Sequence, residues 1–456
     1  MVNLTLKFYT KYNICDFFFV TLSAKIIIFL FMQPIKLHIN KLGLVRNADL
    51  TITPMMVFSG ESGLGKSYVA ILCHYFFYVW LSSKRLDTFF KELQKDRGIN
   101  FYSQNQSLPD KGVALTITKT ELQDWLSKDA VSYLGYMLGS ENFSADISIA
   151  LPDVFPNDIK FLFEQELVGI NNAEDLYCKL TVLHITYRFR ALGIQDESPY
   201  AYTFRFAAIS ELFGDFHDLD YDFVLPPSRG SYLSEEVHAK TGLYKSFVLG
   251  MRELEQAQET PDVINQNLVK LLKEVINGEV KRTGENYIYI THNDTMPVSA
   301  AASSVREIAP LQMMITKRDI SKASVLIEEP EAHLHPLKQY MMADIIATLA
   351  LGGANLQITT HSDYFLRRIN DLIRLNLLKS KTSEKDYLQF CEANDIVPDL
   401  TLDSSILSAY FLEKEEDGFV SVKLQNSKAG IPFDTFAIIN GKPMTNSSLI
   451  YEQTVE

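Results

Sequence analysis

Cysteine is scarce in this sequence, and positive charge is outnumbered by negative charge. The 456 residues contain four cysteines, Cys15, Cys73, Cys178 and Cys391, and no two of them form a Cys-x-x-Cys pair. We therefore expect neither a disulfide framework nor a zinc site, and reduced thiols are typical of a cytoplasmic protein. The formal net charge of −13 disfavours broad binding to nucleic acid, although a local basic groove is compatible with it.

An uninterrupted apolar run of membrane-spanning length is also missing. Phe17–Ala24 and Ile26–Met32 are apolar, but Lys25 separates them, and a lysine in the middle of a span of about 20 residues is costly. Four interpretations stay open for the apolar leader at residues 1–31: an anchor, a signal peptide, a segment packed on the domain, or an extension upstream of a functional chain that begins near Met32. We favour no membrane association.

What the chain does have is a phosphate-binding motif. The stretch "GESGLGKS" fits the pattern G-x-x-x-x-G-K-[ST]. Glycines let consecutive backbone N–H groups face phosphate, a lysine places charge on the β- and γ-phosphates, and the final hydroxyl completes a Mg²⁺ shell. We expect ATP to be bound by eight consecutive residues: Gly60, Glu61, Ser62, Gly63, Leu64, Gly65, Lys66 and Ser67.

The context of this motif supports it. Met55–Phe58 is an apolar run typical of a buried strand, and a helix-compatible run extends from Lys66 to about Trp80. The pattern thus predicts a strand, a loop and a helix whose positive end faces the phosphates.

Two further stretches deliver polar residues to the ends of apolar strands. Ser324–Glu328 is a β-branched run that ends in paired carboxylates, Glu328 and Glu329, and a second run starting at Asn355 leads to His361. Paired carboxylates more often cap a solvated strand, and a lone histidine is usually structural. The phosphate loop upstream favours function for both, with one carboxylate holding Mg²⁺ and another polarising water.

Taken together, "GESGLGKS", "VLIEEPEAHLHP" and "ITTHSD" resemble the ABC-type ATPase heads of the SMC, RecF and OLD kind. The E-E-P-E-x-x-L-H-P form resembles the ATPase subunits of bacterial anti-phage modules such as PARIS and Septu. The resemblance covers roughly residues 35–424. It implies an α/β fold, namely a P-loop NTPase of ABC-ATPase type with a helical insertion, and slow, dimerisation-dependent hydrolysis of ATP with Mg²⁺.

The resemblance also implies roles for individual residues. Glu328 would bind Mg²⁺ with Ser67, Glu329 would be the catalytic base, and His361 would be the switch histidine beside Lys66. A signature loop would reach the nucleotide of a partner protomer, and its best match is Ala302–Glu307, with Ser303 and Ser304 as the candidate contacts. Val305 stands where the family commonly has glycine.

Two features are less specific. Leu225–Arg229 is similar to a P-x-x-R turn of OLD-like heads, and a plain proline turn explains it equally well. The Q-loop glutamine has only Gln104 and Gln106 as candidates.

These observations predict a division into an apolar leader at 1–31, the first part of the head at 32–125, a mostly helical insertion at 126–283, and the second part of the head at 284–456. Fewer than 100 residues follow His361, so we expect any effector, such as a Toprim-like nuclease, to be a separate chain.

The predicted function is a sensor or scaffold of an anti-phage complex. It would be a homo-oligomer built on ATP-sandwiched dimers, with a separate effector protein and a phage protein as trigger. The alternatives are a RecF-like DNA-repair ATPase that binds DNA, which the acidic charge disfavours, and a structural scaffold locked by ATP.

Overall fold

A computed structural model describes residues 35–97, 111–170, 173–190, 198–214, 219–233, 239–258, 263–284, 286–425 and 430–431. The apolar leader, Gln104, Gln106 and the chain beyond residue 431 lie outside the described residues. Within the described part, no helix is both long and apolar enough to cross a membrane.

The central feature is a nine-stranded sheet with the strand order β5-β1-β2-β16-β15-β3-β14-β13-β9. Five neighbouring strands, from β15 to β9, run parallel, whereas β1, β2 and β5 form an antiparallel edge. The bounds are β1 Lys36–Leu42, β2 Val45–Thr51, β3 Met55–Gly60, β5 Ala145–Ala150, β9 Tyr221–Leu225, β13 Ala323–Glu328, β14 Asn355–Thr359, β15 Leu407–Lys414 and β16 Val420–Leu424.

The central strands β3, β13 and β14 are buried along their whole length, and β3 and β13 accordingly read as mainly apolar runs in the sequence. In β3, Met56 and Phe58 face one hydrophobic core, and Met55 and Val57 face the other. The carboxyl ends of β3, β13 and β14 therefore meet at one edge of the sheet, where ligands bind in open α/β sheets.

Helices cover both faces of the sheet. The first helix follows β3 after a short loop and packs on the face lined by Met56 and Phe58. The helices are α1 Lys66–Leu81, α2 Ser83–Arg97, α3 Lys119–Leu138, α4 Pro199–Phe213, α5 Gly242–Gln256, α6 Val263–Ile276, α7 Ser303–Lys317, α8 Pro336–Leu351, α9 Asp363–Lys381 and α10 Glu384–Ala393.

Residues 126–283 correct one expectation, because this segment is not mostly helical. It contains six of the strands as well as α4, α5 and α6. A four-stranded sheet has the order β4-β6-β7-β8, and a three-stranded sheet has the order β10-β11-β12. The additional bounds are β4 Lys111–Thr118, β6 Asp158–Ile170, β7 Ala173–Val182, β8 Ile185–Arg190, β10 Glu279–Thr283, β11 Asn286–Ile290 and β12 Thr295–Pro297.

The physical reason is an alternating pattern. Ile159, Phe161 and Phe163 are buried and alternate with more exposed residues, which is the period of a strand. Phe161 packs with Phe90 and Tyr200, so this small sheet buries its apolar face against α2 and α4. The segment is also part of the central sheet through β5 and β9.

Candidate nucleotide site

The stretch Gly60–Ser67, called the phosphate loop below, joins β3 to α1. Gly60, Gly63 and Gly65 have φ values of 132°, 80° and 94°, a region that favours glycine. A Cβ at Gly60 would lie 2.3 Å from the carbonyl oxygen of Leu412 in the neighbouring strand. The loop is therefore a backbone cradle that a side chain at position 60 would obstruct.

Lys66 opens α1 and points back into the loop. Its Nζ donates to the carbonyl oxygens of Gly60 at 3.0 Å and Glu61 at 2.7 Å. Burial lowers the pKa of Lys66 from its usual 10.5 to about 8, although Glu329, Glu328 and Glu331 oppose the change. The ammonium group is thus positioned where the loop's N–H groups and the positive end of α1 would bind phosphate.

The two residues expected to bind Mg²⁺ are in contact. Ser67 Oγ donates to Glu328 Oε2 at 2.7 Å, although 261 residues separate them in sequence. Glu328 is 6 % exposed, its Oε1 is buried without a hydrogen-bond partner among the described residues, and burial raises its pKa. A buried carboxylate oxygen with unused acceptor capacity, beside a hydroxyl, suits Mg²⁺ or its bound water.

No group of three or more His, Cys, Asp or Glu side chains in the described part of the chain is placed to hold a metal ion. The pair fits an ion such as Mg²⁺, which keeps several waters and takes the rest of its ligands from nucleotide phosphates.

Glu329 occupies the turn after β13 in an unusual conformation. Its φ is 47°, and its backbone N–H donates to the carbonyl of Thr359 at 3.0 Å. The side chain is 42 % exposed, and its Oε1 lies 3.6 Å from His361 Nε2. Burial, and then the charge of Lys66, lowers the pKa of His361. The structure therefore places an accessible carboxylate beside an imidazole that is neutral at pH 7.

Glu331 has a contact that the sequence interpretation missed. It is buried, and one carboxylate oxygen accepts from Thr360 Oγ at 2.5 Å and from the backbone N–H of His361 at 3.0 Å. Burial raises its pKa. Glu331 thereby ties the end of β14 to the turn after β13. The signal in the sequence was the third carboxylate of E-E-P-E. We call Glu328, Glu329, Glu331 and His361 the carboxylate edge.

An open cavity of about 590 Å³ lies between the phosphate loop and the carboxylate edge. Among the described residues, its lining includes Gly60, Glu61, Glu329, Glu331 and His361. The start of the phosphate loop thus lines the same cavity as Glu329 and His361.

Ser303 and Ser304 are placed differently. They begin α7, and neither is among the described residues that line this cavity. Ser303 is exposed, and Val305 is buried in the core of the head. Because Val305 is buried in the core, a bulky apolar side chain fits at the position where the resembled family commonly has glycine. The exposed Ser303 places the start of α7 at the surface.

The proline-rich turn carries a buried arginine, Arg229. Its side chain is 2 % exposed and donates to backbone carbonyl oxygens next to the carboxylate edge, including that of Glu328 at 2.8 Å. A plain turn would not need a buried arginine. The residue type and its distance from Pro226 were the only signal in the sequence.

One protein-family model matches part of the chain. Residues 248–366 match the AAA ATPase domain family AAA_15. The match includes Ser303, Ser304 and the whole carboxylate edge, and it does not include the phosphate loop. This part of the chain is therefore similar to an AAA ATPase domain.

Three solved structures are similar to this chain at low identity. An Smc head bound to the C-winged helix domain of ScpA has 12 % identity and a TM-score of 0.35, covering 87 % of this chain and 97 % of that one. The SMC head domain from Thermotoga maritima has 9 % identity and a TM-score of 0.32, covering 87 % and 99 %.

A third is the Smc head with an extended coiled coil from Pyrococcus furiosus, bound to the C-terminal domain of ScpA. It has 10 % identity and a TM-score of 0.35, covering 93 % and 99 %. At these values the description of the ATPase head rests on its sheet, its loop and the family match. No curated protein sequence matches the chain.

Proposed function

We propose that the head binds Mg²⁺ and ATP and hydrolyses the nucleotide. The observation that carries this proposal is the contact between Ser67 and Glu328 at 2.7 Å. Lys66 precedes Ser67 in the same helix, and Glu329 and His361 line a cavity that the start of the phosphate loop also lines. Phosphate-loop hydrolases need this combination of a cradle, a hydroxyl and carboxylates.

In this proposal, the phosphate loop binds the nucleotide and the carboxylate edge promotes its hydrolysis. Lys66 would exchange its two backbone contacts for phosphate oxygens, and Ser67 and Glu328 would hold Mg²⁺, which neutralises charge on the phosphates. Glu329 would orient a water molecule and accept its proton as the water oxygen attacks the γ-phosphorus and ADP leaves. Neutral His361, 3.6 Å away, would hydrogen-bond the same water or the γ-phosphate.

We also infer that the active unit is a dimer. Ser303 and Ser304 begin a helix at the surface, and by the resemblance to ABC-type heads they would act on the nucleotide of a second head. Backbone N–H groups and the positive end of α7 suit a phosphate there. Hydrolysis would then depend on assembly and would be slow.

The cellular role that we propose is an ATP-dependent switch or scaffold in an anti-phage complex, controlling a separate effector such as a Toprim-like nuclease. The resemblance of "VLIEEPEAHLHP" to the ATPase subunits of such modules supports it. The net charge of −13 disfavours the rival role of a RecF-like DNA-binding ATPase.

Phosphate release and native mass, measured on the full chain with Mg²⁺, test the biochemical part. We expect slow hydrolysis that rises with protein concentration, a dimer or larger assembly in ATP, and no response to double-stranded DNA. Strong stimulation by DNA would favour the repair role. Binding without turnover would favour an ATP-locked scaffold.

Phage plaquing on cells that carry the native locus tests the cellular part. We expect protection with the wild type and its loss with Lys66→Ala. Equal plaquing with and without the locus, across a broad set of phages, would contradict the anti-phage role.

A further inference from the structure

Arg229 is a buried cation that neither the phosphate loop nor the expected metal pair requires. It lies in the turn after β9, at the start of the short 3₁₀ helix Arg229–Leu233. Burying a charged side chain is costly unless hydrogen bonds satisfy it. Its partners are therefore informative.

Three segments of the chain meet at this one guanidinium. Nε donates to the carbonyl oxygen of Glu307 at 2.8 Å, and Nη1 donates to those of Glu328 at 2.8 Å and Pro226 at 3.2 Å. A longer contact of 3.4 Å runs from Nη2 to the carbonyl oxygen of Glu329. Glu307 lies in the second turn of α7, and the two other glutamates belong to the carboxylate edge.

The fixed fork of an arginine is needed for this set of contacts. A guanidinium offers five N–H donors in one plane, whereas a lysine offers a compact ammonium group on a flexible chain. Four carboxylates surround it at longer range, those of Glu307, Glu331, Glu329 and Glu328, and these oppose the effect of burial on the pKa of Arg229. The nearest of them, Glu307 Oε2, is 3.9 Å from Nε.

Gly230 brings the same turn close to the backbone of α7. A Cβ at Gly230 would lie 2.8 Å from the backbone carbonyl carbon of Arg306 and 3.0 Å from the backbone nitrogen of Glu307. The turn and the first part of α7 are therefore in direct backbone contact, and an added methyl group would separate them.

Glu329, the proposed catalytic base, lies at this junction between Arg229 and α7. Its φ of 47° is uncommon for a residue other than glycine, and such a conformation persists where several contacts hold it. On one side, its N–H is bonded to Thr359 at 3.0 Å. On the other side, Arg229 donates to the carbonyl oxygen of Glu328 at 2.8 Å and makes a longer contact of 3.4 Å with the carbonyl oxygen of Glu329 itself.

We propose that Arg229 is a positioning residue, which fixes the backbone under Glu329 and links it to the start of α7. The inference rests on the proposed hydrolysis of ATP. It adds that a shift of α7 against a partner head would change the position of the Glu329 carboxylate. Arg229 is not among the described residues that line the cavity, so it would act through the backbone of Glu329.

Two variants of the full chain perturb this junction in different ways. Arg229→Lys keeps the charge and loses the fork, whereas Gly230→Ala keeps the fork and pushes α7 away. The matched controls are Arg85→Lys, an arginine bonded to Asp129 at 2.7 Å elsewhere in the head, and Gly250→Ala, whose Cβ would meet Phe223 at an ordinary 3.6 Å. Each protein is measured for kcat, for the Kd of a fluorescent ATP analogue and for thermal unfolding.

We expect kcat to fall about 10- to 100-fold in Arg229→Lys and about 3- to 10-fold in Gly230→Ala, because small displacements at a reacting group have effects of this size. We expect the Kd to stay within about threefold in both, since the phosphate loop is unchanged. Both controls should keep the wild-type kcat, even where Arg85→Lys lowers the melting temperature.

A folded Arg229→Lys protein with wild-type kcat would overturn the inference and leave the proposed function intact. A parallel loss of ATP affinity and of kcat would also overturn the inference, since it would indicate a structural role. If Arg229→Lys does not fold, Gly230→Ala decides between the same outcomes. A wild type that neither binds nor hydrolyses ATP would overturn the proposed function and this inference together.

Discussion

The phosphate loop and the carboxylate edge face the same cavity, and the chain builds them in different ways. The loop is one run of eight residues whose shape follows from three glycines and the start of α1. The edge is gathered from two strand ends, and Arg229 and Glu331 tie it to α7 and β14. Binding should therefore be a local property of one segment, and hydrolysis should depend on contacts between distant segments.

Lys66→Ala should have the largest effect of these changes, because it removes the positive charge of the phosphate loop and so weakens ATP binding. We expect the Kd for ATP to rise about 100-fold or more, since hydrogen bonds to charged groups contribute about 1.5–3 kcal/mol each. Calorimetric titration with Mg²⁺ and ATP measures it. A change in Kd of less than about threefold would contradict the assignment of the loop.

Gly60→Ala tests whether the loop depends on backbone shape. The added Cβ would meet the carbonyl of Leu412 at 2.3 Å in a backbone conformation with φ of 132°, so we expect a loss of about 2–5 kcal/mol in the free energy of unfolding. Gly63→Ala is the control, because nothing lies within 4 Å of its Cβ, and we expect about 1–2 kcal/mol there. Urea denaturation distinguishes them, and equal losses would refute the steric argument.

Glu331→Ala tests the other side of the pocket. It leaves Thr360 and the N–H of His361 without their acceptor, so we expect kcat to fall about 10-fold while the Kd for ATP changes less than about threefold. Glu331→Gln should restore most of the activity, because one side-chain oxygen accepts both bonds. Steady-state phosphate release measures both variants. Equal loss in the two would show that the charge matters, and that the hydrogen bonds alone do not explain the role.

The smallest expected effect is a pH dependence of the nucleotide-free protein. The folded pKa of Lys66 is about 8 and the usual value is 10.5, so between these pH values the unfolded chain binds more protons than the folded protein. Stability of the wild type relative to Lys66→Met should therefore rise with pH across this window and be flat below it. We expect a rise of roughly 1–2 °C in melting temperature. If the melting temperature of the wild type relative to Lys66→Met fell as the pH rises, the lowered pKa of Lys66 would be contradicted.

The same contrast explains what could be predicted from the sequence. Met55–Phe58 is confirmed as a buried strand, and the helix from Lys66 ends at Leu81, close to the expected Trp80. These elements follow from consecutive residues. The strands that end at Glu328 and Thr359 are also confirmed. The first is a short apolar run, and in the second Leu356 and Ile358 alternate with buried polar residues.

Contacts between distant segments could not be predicted in this way. The pairing of Arg229 with Glu307 joins residues 78 positions apart, and no local pattern specifies it. The strands in residues 126–283 were missed for another reason. Their alternation is short, and charged residues such as Lys160 and Glu164 weaken the strand signal beside the stronger helical patterns nearby.

Glu329→Gln tests the central claim most directly, because it changes one atom of the carboxylate edge and leaves the phosphate loop untouched. The account predicts that this variant binds ATP with a Kd within about threefold of the wild type, loses about 100-fold or more in kcat, and keeps its ATP-dependent assembly for longer. Nucleotide binding, single-turnover hydrolysis and native mass are measured on the same samples. Wild-type turnover in Glu329→Gln, or loss of binding together with turnover, would contradict the separation of binding from hydrolysis.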